Sequence, residues 1–461
     1  KKSWYGFVSL KKRSTMRGII VFICLLFLVN PQVKAWGFWA HKRINRMAVF
    51  TLPPEMLGLY KQHISYLTEK ATAPDMRRYA VEGEAFRHYI DMDKWGEYPF
   101  PDLPRNWRDV QEKYMELWVL YEGDSLQLTG SDFIKVGREE VTMFGPGMKR
   151  LIGEDSLKIR RIAYQIFRRN NFPYASIYEP KSIPAVATGT LFGKMIDAAW
   201  VIDPFTEHGV LPYEFPRQLS RLQRAFEEGD LKRILRMSAD IGHYVGDAHV
   251  PLHTTSNYNG QLTKQKGIHG FWESRIPELF AENYDFLVGS AKPSTEPEWL
   301  IWDAVMESHR GVDTVLGFER ELSERFPEDQ KYGYESRNNV VRRVYSREYT
   351  KAYSDMMDGM VERRMRMAIQ RLGIMWYTAW ERAGRPDLRP LYKEEIDETK
   401  EEYEKRLKII DREAQGFGFN RVFMGEPLKR AGRASIVPEG NYWWLILGLL
   451  LAGLVGIKLK Q

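Results

Sequence analysis

Residues 243–253 read His243-Tyr-Val-Gly-Asp247-Ala-His249-Val-Pro-Leu-His253, and a second motif, His269-Gly-Phe-Trp-Glu273, begins sixteen residues after His253. In each motif a histidine and an acidic residue are four positions apart, so on a helix both project from one face. Imidazole and carboxylate together favour zinc over calcium or magnesium, which prefer oxygen ligands alone. Either pair alone is equally consistent with a hydrogen-bonded core histidine, but their density within this segment predicts a metal site.

The hydrophobic pattern around these motifs predicts helices, and convincing strands are hard to find. A helix is expected over about 219–226, and Asp230 is a candidate N-cap for a second helix that ends before Pro251. That helix would carry His243 and Asp247 on its last turns. A further apolar stripe predicts a helix packed in the core rather than a cofactor contact. The stripe consists of Met365, Ile369, Leu372, Trp376 and Trp380.

Length and composition predict a large, well-packed globular chain. The 461 residues allow a sizeable core and one or more domains, on a rough prior of ~150 residues per domain. Aromatic residues make up 13% of the chain, which excludes a disordered composition. Lys and Arg number 68 against 61 acidic residues, and this small, dispersed excess does not by itself indicate nucleic-acid binding.

The first 35 residues resemble a leader followed by a secretory signal peptide. Basic Met16-Arg17 precedes an apolar run over 19–29, and the run is too short for a stable membrane anchor. Cleavage after Ala35 would expose Trp36 as a new amino terminus. The only cysteine, Cys24, lies in the apolar run, so the exported chain would contain no disulfide.

The C-terminal region predicts a tether to a membrane. A charged helical stalk and linker over 386–440 leads to an apolar run at 442–457, with aromatic residues at its start and lysines after it. Sixteen helical residues span about 24 Å, which interfacial flanks can extend to a bilayer core. The alternative is a buried C-terminal helix. With a tail at 458–461 on the cytoplasmic side, the main domain would lie outside a membrane, in the periplasmic or extracellular space.

More candidate ligands lie upstream. Trp36-Gly-Phe-Trp-Ala-His41 places an imidazole near the expected amino terminus, and Asp75 and His88 add a carboxylate and another imidazole. A free α-amino group, with an ordinary pKa near ~8, can lose its proton to a metal and form a chelate with its own carbonyl oxygen. Nine positions result, enough for three zinc ions. They are Trp36, His41, Asp75, His88, His243, Asp247, His253, His269 and Glu273.

In order and spacing, these motifs resemble the trinuclear zinc enzymes that include bacterial zinc-dependent phospholipase C and the S1/P1 nucleases. The resemblance covers roughly 36–99 and 207–278, with weaker helical similarity to about residue 385. It implies an all-α multi-helix bundle around a trinuclear zinc cleft, formed by a phosphoesterase domain over 36–385. It also implies a zinc-dependent hydrolase that cleaves a phosphodiester, with a phospholipid headgroup or a nucleic acid as substrate.

The resemblance also implies a role for each ligand. Asp75 would be a ligand, and either that alone or also the catalytic acceptor of the proton from a zinc-bound water, whose hydroxide attacks phosphorus. His249 occupies a position that is not a ligand in the superfamily. One zinc would be bound by Asp75, His88, His243 and Asp247. A second would be bound by His253, His269 and Glu273. The third would be bound by the Trp36 amine and carbonyl, His41 and the shared Asp247.

Of the two branches, the chain more closely resembles bacterial membrane-tethered, phospholipase C-like proteins, through the run Trp36-Gly-Phe-Trp-Ala-His41-Lys42. Glu273 as the last acidic ligand and the short loop before His269 favour the phospholipase C-like members. The pattern from His269 to Ser274 favours the nucleases, whose Gly-Gly-Asn loop is replaced here by Asn257-Tyr-Asn-Gly260. Residues 115–204 form an insertion that we interpret as a helical elaboration, with a lid or a basic binding surface as alternatives. An alternative from a different functional class is a non-catalytic, zinc-binding envelope protein.

Overall fold

The computed structural model describes residues 38–393, except 128–189 and short gaps at 79, 82, 115, 192–193, 196–197, 203 and 338–339. The chain divides into two compact units. The described residues of the first lie in 38–105 and 205–393, and those of the second lie in Asn106–Pro204. The predicted leader and signal peptide, Trp36, the stalk beyond residue 393 and the apolar run at 442–457 lie outside the described residues.

The first unit is mostly helical. The bounds of its helices are α1 Phe38–Ala48, α2 Pro54–Gln62, α3 Ile64–Lys70, α4 Ala73–Arg77, α6 Phe205–His208, α7 Leu211–Glu227, α8 Leu231–Ala248, α9 Ile268–Gly270, α10 Ile276–Phe280, α11 Pro297–Arg310, α12 Val312–Arg325, α13 Glu328–Lys331, α14 Arg347–Met356 and α15 Met360–Arg382. Helix α5, Trp107–Tyr114, belongs to the second unit. Among the described residues the mostly helical class predicted from the sequence is confirmed.

The described residues include strands in two places where the hydrophobic pattern offers no convincing ones. In the second unit, β1 (Glu116–Tyr121) lies between β2 (Asp124–Gln127) and β5 (Ala198–Ile202) in an antiparallel sheet. The short strands β3 (Thr190–Leu191) and β4 (Lys194–Met195) pair with each other. The described part of the insertion therefore contains strands where we expected helices. In the first unit, β6 (Tyr332–Arg337) and β7 (Val340–Tyr345) form an antiparallel hairpin.

Helix α8 is central to the first unit. It begins where predicted, because the Asp230 side chain accepts a hydrogen bond of 2.9 Å from the Arg233 backbone amide and satisfies one free N–H of the first turn. Every residue from 237 to 250 is buried, so the second half of the helix is surrounded on all sides. The predicted stripe of α15 is also buried, and the Trp376 indole donates to the Ser238 carbonyl of α8 at 3.0 Å.

Two glycines of α8 let α1 approach closely. A Cβ added to Gly242 would lie 1.9 Å from Oδ1 of Asn45, and one added to Gly246 would lie 2.8 Å from Nδ1 of His41. Asn45 also donates to the Ala239 carbonyl of α8 at 3.2 Å. The glycine spacing of four residues therefore lets the His41 ring lie directly against the helix that carries His243 and Asp247.

The predicted membrane anchoring requires correction. Among the described helices, which fall between residues 38 and 393, we find none with the length and apolar character needed to cross a bilayer. The apolar run at 442–457, on which the prediction depended, lies outside the described residues. We therefore withdraw the predicted location of an exported domain tethered outside a membrane.

Candidate metal centre

The structure brings eight of the nine predicted ligands together in the first unit. The ninth, Trp36, lies outside the described residues. None of the eight side chains belongs to a residue more than 5% exposed. The eight come from six segments: His41 from α1, Asp75 from α4, His88 from the end of a 3₁₀ turn, His243 and Asp247 from α8, His253 from a second 3₁₀ turn, and His269 and Glu273 from α9 and the π-helical turn after it.

Three groups of ligand atoms form within this cluster, and in each group all atoms lie within 4.8 Å of one another. His243 belongs to two of the groups, so the first two groups are contiguous. The groups are His41, His243 and Asp247; Asp75, His88 and His243; and His253, His269 and Glu273. Several buried clusters in the described part of the chain could therefore hold metal ions.

The carboxylate of Asp247 lies at the middle of the cluster, with four imidazoles around it. Its Oδ2 is 2.9 Å from His88 Nδ1 and 3.3 Å from His243 Nε2. Its Oδ1 is 3.4 Å from His41 Nε2 and 3.7 Å from His253 Nε2. His253 continues the cluster, because its Nε2 is also 3.6 Å from Glu273 Oε2. Asp247 thus links all three groups.

Three of the imidazoles are oriented by backbone carbonyls. A carbonyl oxygen only accepts, so each ring nitrogen beside one must be the donor, and the other nitrogen is left to face the carboxylates. This arrangement fixes the tautomer and aim of metal-binding histidines in general. The Nδ1 donors and their acceptors are His243 to Ala71 at 2.8 Å, His253 to His88 at 2.6 Å and His269 to Tyr258 at 3.0 Å.

The ligand atoms that have no hydrogen-bond partner in the cluster are suited to bind a cation. Both carboxylate oxygens of Asp75 and of Glu273, Oδ1 of Asp247 and Nε2 of His253 are buried and have no hydrogen-bond partner among the described residues. A buried polar atom without a partner costs about 1–3 kcal/mol, and a charged one more. Divalent metal ions would satisfy these oxygens and nitrogens together, so the residues present fit the metals that the sequence predicts.

Burial and mutual charge shift the pKa values of the centre. Burial, together with the neighbouring His41, holds the pKa of His243 well below its usual value, so its ring is neutral at neutral pH. Burial opposes ionisation of Asp247, but His243 and His253 outweigh it and hold the pKa of Asp247 well below its usual range. Burial raises the pKa of Asp75. Burial opposes protonation of His253, but Asp247 and Glu273 together outweigh it and raise the pKa of His253 to about 9.

A buried ion-pair network lies behind His88. The carboxylate Oε1 of Glu84 is 3.8 Å from His88 Nε2 and accepts a short hydrogen bond from the Tyr244 hydroxyl. Arg77 is 3.4 Å from the same oxygen and donates to Asp240 of α8 at 3.0 Å. Because both guanidinium contacts are buried, the network fixes the position of Glu84 beside the outer nitrogen of His88. Sequence analysis did not identify these residues.

The hairpin β6–β7 supports the turn that carries Glu273. The ring of Phe271 stacks on Tyr345 with centroids 3.8 Å apart. Arg275 donates to both carboxylate oxygens of Glu335, at 2.9 and 2.6 Å, and to the Tyr345 carbonyl at 3.0 Å. Glu273 lies between these two attachments, in a π-helical turn of the kind that is frequent at functional sites. No local pattern indicates the Arg275–Glu335 pair, because its partners are sixty residues apart.

His249 lies outside the three groups of ligand atoms. Its Nδ1 donates to the Val245 carbonyl at 2.7 Å, and its Nε2 accepts a hydrogen bond of 3.0 Å from Arg371. Arg371 also pairs with both oxygens of Glu307 at 3.2 Å. The second nitrogen of His249 is thus already occupied by a cationic donor.

The comparisons with known proteins add no relative to this description: no protein-family model, no curated protein and no solved structure matches the chain.

Proposed function

We propose that the chain is a zinc-dependent hydrolase of phosphodiester bonds, with a phospholipase C-like active site at the cluster around Asp247. The observation that supports it most is the common orientation of His243, His253 and His269, each of which donates Nδ1–H to a backbone carbonyl and turns Nε2 toward a carboxylate. Imidazoles aimed in this way, among buried carboxylate oxygens that lack donors, are organised to bind metal.

The donor set supports zinc and supports catalysis. Imidazole nitrogen mixed with carboxylate oxygen suits zinc better than calcium or magnesium. Each group supplies three side chains, whereas a structural zinc site is closed by four. Because Nδ1 of His243 is committed to Ala71, its Nε2 serves one ion only. His41 and Asp247 would then serve a third ion, together with a donor such as the Trp36 amine that lies outside the described residues.

Zinc bound here would supply positive charge for phosphoryl oxygens and lower the pKa of a coordinated water towards ~7. Asp75 is the residue that we propose accepts the proton of the attacking water, because its two oxygens have no hydrogen-bond donor and one of them is near the imidazoles of His88 and His243, at 4.0 and 3.8 Å. Arg78 lies 3.6 Å from Asp75 and is more exposed, so its guanidinium can attract an anionic substrate to the same edge.

The proposal is tested by hydrolysis of bis(p-nitrophenyl) phosphate by purified, zinc-loaded protein, with and without chelator. We expect turnover that chelator removes and zinc restores, and an Asp75→Asn variant that loses most of the rate. Protein that is fully loaded with zinc and does not turn over would favour the non-catalytic zinc-binding alternative. Phosphatidylcholine micelles and single-stranded DNA, assayed side by side, distinguish phospholipase C from S1/P1-type nuclease specificity.

A further inference from the structure

A second concave site lies beside the candidate metal centre and takes no part in it. It is a cleft of ≈ 230 Å³ between the loop at 263–266, helix α12 and the base of the hairpin β6–β7. Its volume is below the ~300 Å³ at which pockets for whole drug-sized ligands begin. The cleft therefore suits a small group rather than an entire nucleotide or lipid. We refer to it as the basic cleft.

Positive charge predominates in the basic cleft. Its four cationic side chains are Lys264, Lys266, Arg320 and Lys331, and its two acidic side chains are Glu319 and Glu324. Glu319 is buried and fully engaged, because Lys331 and the Tyr349 hydroxyl donate to one oxygen at 3.0 and 2.8 Å, and Gln265 donates to the other at 2.7 Å. Its negative charge is neutralised by protein donors, so it does not repel an anion in the cleft.

The loop that carries the two cleft lysines is held in one conformation. Lys264 has φ +64°, a left-handed backbone conformation that non-glycine residues adopt rarely. Side-chain amides stabilise it: Asn257 accepts from the Leu262 amide at 2.8 Å and donates to Thr263 at 3.0 Å, and Asn259 accepts from the Gly267 amide at 3.0 Å. Lys264 and Lys266 therefore extend from a preorganised loop, which lowers the entropic cost of binding an anion there.

The same loop and hairpin border the metal centre. The loop leads directly into His269, and Tyr345, which lines the basic cleft, stacks on Phe271 two residues before Glu273. Tyr332, the other cleft tyrosine, lies opposite Tyr345 in the hairpin. An anion in the basic cleft would thus be adjacent to the segments that carry His269 and Glu273, without contacting either of these two side chains.

We propose that the basic cleft is a second anion site that binds a phosphate group, free or esterified, through Lys264, Lys266 and Arg320. Tetrahedral phosphate oxygens accept several charge-assisted hydrogen bonds at once, and lysine and arginine supply them. The tyrosine rings of the hairpin form the apolar wall against which the rest of an esterified ligand would pack. This inference goes beyond the proposed hydrolysis and does not require it.

The test is calorimetric titration of the zinc-loaded protein with inorganic phosphate and, separately, with glycerol 3-phosphate. Wild-type protein should bind phosphate at a site that remains when zinc is removed by chelator. Lys264→Gln/Lys266→Gln should weaken that site by about tenfold or more, because two cations are lost from one small cleft. The matched control is Lys61→Gln/Lys351→Gln, which removes the same charge from exposed lysines on α2 and α14.

Each outcome bears on the proposal. The proposal is supported if phosphate affinity falls in the Lys264→Gln/Lys266→Gln variant and changes by less than about twofold in the control. Tighter binding of glycerol 3-phosphate than of inorganic phosphate identifies an esterified ligand. Absence of the zinc-independent site in wild-type protein, or equal loss in the control, overturns it. Wild-type zinc content and thermal unfolding in the cleft variant exclude misfolding. If bis(p-nitrophenyl) phosphate is not hydrolysed and the cleft still binds phosphate, the proposed function fails and this inference stands.

Discussion

Helix α8 and the residue after it carry two kinds of buried histidine, and their surroundings differ at a single nitrogen. His243 and His249 each donate Nδ1–H to a backbone carbonyl, at 2.8 and 2.7 Å. The Nε2 of His243 faces the carboxylates of Asp75 and Asp247, whereas the Nε2 of His249 accepts from Arg371. Burial lowers the pKa of both rings well below the usual value. His41 lowers the pKa of His243 further, and Arg364 lowers the pKa of His249 further.

The comparison shows that burial and tautomer do not identify a ligand. Both histidines are fully buried, and both present the same neutral tautomer. The difference lies in the groups around the second nitrogen. Nε2 of His243 is near the carboxylates of Asp75 and Asp247 and the ring of His88, whereas Nε2 of His249 is near an arginine that is itself paired with Glu307. A lone pair that faces anions is organised for a cation, while a lone pair that faces a guanidinium is already satisfied.

The largest expected effect is that of Asp247→Asn. The substitution keeps the shape of the side chain and removes the charge that links the three groups of ligands, so zinc affinity should fall by at least about 100-fold, since even outer partners of metal ligands contribute 10–100-fold. Hydrolysis of bis(p-nitrophenyl) phosphate should fall with it. The measurement is zinc content after dialysis, together with the rate. Unchanged zinc content in folded Asp247→Asn protein would contradict the central place of this carboxylate.

The matching substitution at the second histidine is His249→Leu. It removes an acceptor of Arg371 in a buried network, so the free energy of unfolding should fall by about 1–3 kcal/mol. Zinc content should stay at the wild-type value, because His249 contributes no ligand atom. Denaturant unfolding and metal analysis on the same sample check both statements. A variant that lost zinc while remaining folded would remove the distinction between the two histidines.

A smaller effect is expected from the hairpin. Glu335→Gln weakens the bidentate pair with Arg275, which fixes the turn that carries Glu273. We expect about threefold to tenfold weaker binding of one zinc ion, the lower part of the range for outer partners. Glu321→Gln is the matched control, because Glu321 pairs with Arg325 at 3.1 Å on an exposed helix surface. Equal effects of the two substitutions on zinc affinity would exclude a positioning role for the hairpin.

The last prediction concerns a proton and needs no substitution. In the metal-free protein burial lowers the pKa of His253, but Asp247 and Glu273 together outweigh it and raise this pKa to about 9. The ring therefore carries a second proton at pH 7 that zinc must displace. Zinc binding should therefore release a proton from His253 at pH 7.5. The zinc affinity should increase by up to about tenfold per pH unit as the pH rises, and it should no longer depend on this proton above pH 9. Calorimetry in two buffers of different ionisation enthalpy measures the release. An equal number of protons released at pH 7.5 and 9.5 would contradict it.

The part of the fold that depends on local signals was predictable from the sequence. Asp230 after Gly229 marked the start of α8, and the apolar stripe marked α15 as a core helix. The residues of the candidate site were also identifiable, because imidazoles and carboxylates four positions apart stand out in a chain with nine histidines. The glycine pair at 242 and 246 was visible too, although its role in admitting His41 depends on a partner helix.

The remainder depends on contacts between distant residues or on signals that were overlooked. The carbonyl of Ala71, which orients His243, is 172 residues away in the chain, and no local pattern marks it. The hairpin is different, because Asn338-Asn339 stands between a run with two tyrosines, 332–337, and a run with three valines, 340–345, a pattern typical of paired strands. The Arg275–Glu335 attachment could not be inferred without the structure.

The most direct test of the account is the ratio of zinc to protein in purified wild-type chain after exhaustive dialysis, measured by elemental analysis beside Asp247→Asn and His249→Leu. The account predicts two or three zinc ions in wild-type protein, the same number in His249→Leu and a marked loss in Asp247→Asn. A wild-type ratio near zero, or equal ratios in wild-type and Asp247→Asn, would contradict it.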